Sequence, residues 1–73
     1  MTPELEHVIG KMPLTQLIDA VRNEAVYPKD ARRHAARVLN EKYAAHPAVL
    51  GKFRHDPEFA RIVNQFLTCT ENG

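Results

Sequence analysis

Residues 28–43 read PKDARRHAARVLNEKY, and the placement of this stretch decides the fold. Pro28 suits the start of a helix, where its missing N–H would have no partner in any case. Beyond it Ala31, Ala35, Val38, Leu39 and Tyr43 recur at spacings of three and four, which gathers them on one helical face. Two of these positions are alanines, so another helix can approach closely along the first half. On the opposite side Lys29, Arg33, Arg37 and Asn40 fall within about 80° of one another, and Arg32 lies between the two faces. This basic side has two readings. Every globular helix needs a polar face, and Asp30 and Glu41 dilute its field; arginine, however, is favoured at interfaces for its rigid donor fork and apolar stem.

Upstream, Pro13 opens a second helix in which Leu14, Leu17, Ile18 and Val21 form an apolar stripe, and Tyr27-Pro28 ends that region because proline disfavours helical geometry just before it. The first segment, TPELEHVIG, offers Thr2 as N-cap, Pro3 at the first helical position, Glu4 and Glu6 at the positive helix end, and Gly10 for a left-handed turn afterwards. A short helix over 3–9 is expected, with Leu5, Val8 and Ile9 on one side. So few turns are not stable alone, and the segment is either an edge of the core or an arm that orders on a partner.

Downstream, His46-Pro47 marks a boundary, and PAVLGKF predicts one or two turns with Val49, Leu50 and Phe53 inward, weakened by Gly51. Asp56 then caps a helix starting at Pro57, whose Phe59, Ile62, Val63, Phe66 and Leu67 are the best apolar stripe of the chain. The tail from Thr68 turns polar and is expected to fray.

Proline at 3, 13, 28, 47 and 57 thus punctuates the chain wherever a helix can begin, and strict alternation never persists long enough for a sheet. The expected fold is all-α: a compact orthogonal bundle of four or five short helices, with those beginning at Pro13, Pro28 and Pro57 doing most of the packing. The 73 residues make one domain over 1–73, with segment 1–12 able to detach and the tail 68–73 frayed.

A net charge of +1, from 10 basic and 9 acidic residues, excludes a strong overall field toward nucleic acid or anionic membrane. Its distribution is uneven: residues 1–28 hold two cations against four acids, while 29–73 hold eight cations against five. No stretch has the apolar length of a membrane span, and MTPELEH lacks the basic-then-apolar pattern of a secretion signal, so the cytoplasm is expected. Cys69 stands alone, which excludes an internal disulfide and suits a reducing compartment.

Catalytic and metal chemistry find little footing. His7, His34, His46, His55, Asp56 and Cys69 are the possible metal ligands, but no paired-cysteine or HExxH spacing joins them. His34 reads as a partly covered packing residue, and His46 and His55 as turn residues beside the prolines. Cys69, late in a helix with no basic neighbour, lacks what activates a thiolate. Gly10, Gly51 and Gly73 are isolated and form no phosphate-cradling loop. No enzyme, cofactor or metal is expected.

Binding remains. Pro13 to Tyr43 can be read as helix, turn, helix with the basic helix 28–43 on DNA or RNA, but few groove readers and a near-neutral charge speak against it. A protein-binding regulator needs only a compact scaffold and a few anchors, here Leu5, Val8 and Ile9 with Arg32, Arg33 and Arg37. In length, and in the character of MTPELEHVIGKMPLTQLIDAV and PKDARRHAARVLNEKY, the chain resembles the very small bacteriophage proteins that bind host RNA polymerase. That resemblance implies binding to the large polymerase subunits, with an N-terminal contact on the largest, inhibition of initiation and help for elongation past terminators; the free chain is expected to be a monomer. The resemblance assigns no residue a role.

Overall fold

The prolines act at helix starts in two different ways. In this computed structural model, which describes residues 2–68, the order is α1 (Pro3–Gly10), α2 (Leu14–Arg22), α3 (Lys29–Tyr43), α4 (Pro47–His55) and α5 (Pro57–Thr68). Pro3, Pro47 and Pro57 are the first residues of their helices, as expected. Pro13 and Pro28 stand one residue earlier, as N-caps with φ −68° and ψ 165°. Each still belongs to its helix through its carbonyl, which accepts from Leu17 N and Arg32 N respectively, both at 3.0 Å.

Side chains close the other starts. Thr2 Oγ1 accepts from Leu5 N at 3.2 Å and Asp56 Oδ1 from Phe59 N at 3.1 Å, the two caps legible in the sequence. His46 is a third: its Nδ1 accepts from Ala48 N at 3.1 Å, a role beyond that of a turn residue. Gly10 differs from expectation. It is the last residue of α1 and has no positive φ, because Lys11 N and Met12 N fold back onto the carbonyls of Val8 and Ile9, both at 3.1 Å. This tightened last turn satisfies the terminal carbonyls without a left-handed residue.

The central element is α3. Its 15 residues extend about 22 Å, against molecular extents of 32 × 26 × 22 Å. α1, α2 and α5 all pack on it, and α4 packs on α5. The result is a compact all-α bundle of five short helices. Ala31, Ala35, Val38 and Leu39 are buried on α3 as the spacing predicts, and so is Ala36, which lies about 100° from Ala35. Its burial follows from the number of neighbours: a helix covered by three others buries more than one stripe.

α1 and α4 each bury a narrower seam than the sequence suggests. Ile9 is fully buried and Leu5 packs half-buried beside it, but Val8 is 53% exposed. On α4, Val49 is buried and Phe53 half-buried, while Leu50 faces solvent at 50% rather than pointing inward. The reason is angular. Leu5 and Ile9 lie about 40° apart, as do Val49 and Phe53, whereas Val8 and Leu50 each stand about 100° from the buried member. α1 therefore supplies core and not only an edge, and Lys42 Nζ donates to its terminal carbonyl at Gly10 over 2.7 Å.

Candidate interaction groove

The last turn of α2 ends on carbonyls that lack a helical partner, and one of them organises a surface groove. Val21 O accepts from Arg32 Nε at 3.0 Å. That bond lays the guanidinium over the Phe66 ring, 5.1 Å from its centroid, and brings Nη1 to 3.8 Å from the Glu24 carboxylate. With its side chain only 14% exposed, Arg32 is a positioned group on a covered aromatic face.

Around Arg32, where the end of α2 and the start of α3 meet α5, an open groove of about 450 Å³ is lined by Arg22, Glu24, Lys29, Arg32, Glu58, Arg61, Ile62, Gln65 and Phe66. That volume falls in the range of small ligand sites. The lining holds no hydroxyl, thiol or imidazole. Its chemistry is cationic on an apolar bed.

Arg22 fixes one wall. Its Nη1 donates to Asp56 Oδ2 at 2.9 Å and its Nη2 lies 3.7 Å from Glu58, while Lys52 Nζ approaches the same Asp56 oxygen at 3.6 Å. Asp56 thus caps α5 and ties it to α2 at once. The Phe59 N–H holds its carboxyl below the ordinary carboxylate range; partial burial opposes this, and Arg22 and Lys52 reinforce it. A lowered folded value means that the contribution is complete above the unfolded carboxylate pKa and is lost as pH falls through the folded one. Asp56→Asn keeps a capping oxygen but removes the charge. Its melting temperature is therefore expected to lie below wild type at neutral pH and to fall less steeply through the acid range; parallel acid limbs in thermal melts would contradict this role.

Lys29, from α3, and Arg61, from α5, are exposed and make no ion pair among the described residues. They leave the groove with charge to offer.

The six residues singled out from the sequence do not converge. Arg32 lines the groove; Arg33 is half-buried, with its Nε sealed from solvent and no hydrogen-bond partner; Arg37 is exposed elsewhere on α3. Ile9 is core rather than a surface anchor, Leu5 is half-buried, and Val8 is the exposed member of its trio. Gly10 meets α3 at Lys42, about 20 Å along the helix from Lys29, so the end of α1 lies away from the groove. Sequence reasoning missed Arg22, Arg61 and Phe66 as site residues. The visible signal was the polar side of each amphipathic helix, which says that a residue faces outward but not which helix stands opposite.

Among the described residues no three His, Cys, Asp or Glu side chains come together as a metal site, and no helix is long and apolar enough to cross a membrane. Cys69 lies outside the described residues. No family model, curated protein or solved structure matches this chain.

Proposed function

We infer that this domain is a protein-binding regulator without catalysis of its own. The observation that carries this reading is the groove built on Arg32: a guanidinium held by Val21 O and Phe66 beside further cations, on an apolar bed. Rigid arginines over aromatic surface are typical interface anchors, because little side-chain freedom is left to lose on binding.

The resemblance to small phage proteins makes bacterial RNA polymerase the partner, with inhibition of initiation and antitermination as the effect, in the bacterial cytoplasm. Purified domain is expected to co-migrate with core polymerase on size exclusion at micromolar concentrations, to reduce run-off transcript and to raise readthrough at a terminator. A folded domain that elutes apart from the polymerase and leaves both transcript levels unchanged would remove this partner.

Nucleic-acid reading by α3 has less support. A recognition helix must protrude into a groove of DNA, whereas α3 is packed by three other helices and its arginines form no single exposed row.

A further inference from the structure

The four cations of the groove are not equivalent. Arg22 is engaged by Asp56 and Glu58, and Arg32 by Val21 O and Glu24, whereas Lys29 and Arg61 are unpaired among the described residues. Four cations against two acids give the lining a formal charge of +2, while the entire chain carries +1. The groove is thus more positive than the rest of the molecule together. Phe66 is buried and Ile62 half-buried, so the charge surrounds an apolar bed.

Resting on the protein-binding reading, we propose that the groove receives an extended acidic peptide segment of a partner protein. The segment's carboxylates meet Lys29 and Arg61, and one apolar side chain rests on Ile62 and Phe66. Charge complementarity argues for this occupant. A run of phosphates fits less well. Glu24 and Glu58 line the same groove and repel a continuous polyanion, and Arg32 covers the Phe66 face on which a base would stack. A peptide spaces its carboxylates and can leave those two acids facing solvent or neutral groups.

The test is fluorescence anisotropy on the full chain. The probe is the labelled peptide Gly-Glu-Glu-Leu-Glu-Glu-Gly, with versions carrying Gln for Glu and Ser for Leu, and labelled oligothymidylate runs beside them. Wild type is expected to bind the acidic peptide saturably and to lose affinity when either the glutamates or the leucine are replaced. Lys29→Glu and Arg61→Glu are each expected to weaken binding about tenfold or more. Both side chains are exposed, so circular dichroism should show unchanged helix in these variants. Lys11→Glu, next to Gly10 at the far end of α3, is expected to bind as wild type. Absence of saturable peptide binding, or wild-type affinity in both groove variants, overturns the proposal. So does oligothymidylate binding that exceeds peptide binding and falls with the same substitutions. Groove variants that still co-migrate with polymerase would remove the groove and keep the regulator; wild type that binds peptide but not polymerase would keep the groove and remove that partner.

Discussion

Phe59→Ala is expected to cost about 3–5 kcal/mol of folding stability, the usual range for emptying a fully buried aromatic site. Phe59 has no exposed surface and heads the fully buried side chains by size. Its ring lies 5.4 Å from that of Phe53, so it joins α5 to α4. At ~0.05–0.15 kcal/mol per residue, a chain of this length has about 4–11 kcal/mol in total. One side chain therefore accounts for a large part of the margin. Urea denaturation followed by circular dichroism should show a markedly lower midpoint, with Phe53→Ala, half-buried, falling less. A Phe59→Ala midpoint indistinguishable from wild type would mean that α5 is not packed as described.

A contrast within α1 has the next largest effect. Ile9→Ala is expected to cost about 2–5 kcal/mol, because Ile9 is fully buried, whereas Val8→Ala should stay within about 0.5 kcal/mol, because Val8 is 53% exposed. The pair separates a core helix from an arm. If residues 1–12 detach freely in the unbound protein, Ile9→Ala leaves the melting temperature unchanged and shows itself only in partner affinity. Docking predicts the reverse order: a large loss of stability, with affinity unchanged in the molecules that remain folded. Deleting an interior methyl group matters only where the surrounding atoms cannot close the gap, and Ile9 sits in the same cluster as Leu17, Leu39 and Phe59.

Local chemistry was sufficient for everything that depends on one helix. Thr2 and Asp56 have the acceptor oxygens that helix starts need, and the structure uses both. Pro3, Pro47 and Pro57 begin helices because a proline loses nothing at a position whose N–H is unpaired. The stripes of α2, α3 and α5 are buried at Leu17, Val21, Ala35, Leu39, Phe59 and Val63 because the helical period alone aligns them. His46 escaped this reading since an imidazole is an uncommon cap, and which ring nitrogen accepts depends on the turn it closes.

The sequence by itself therefore determined that the chain is all-α, where its helices begin to within one residue and which stripes of the longer helices are apolar: each depends on backbone geometry within a few residues. Only the tertiary structure decided that Ile9 is core while Val8 and Leu50 face solvent, that Ala36 is buried as well as Ala35, and that Arg22, Lys29, Arg32 and Arg61 share one groove. Those outcomes depend on which helices are neighbours and how closely they approach. A period of 3.6 residues fixes the direction of a side chain about its own axis, but the partner it meets is set by packing the whole core at once.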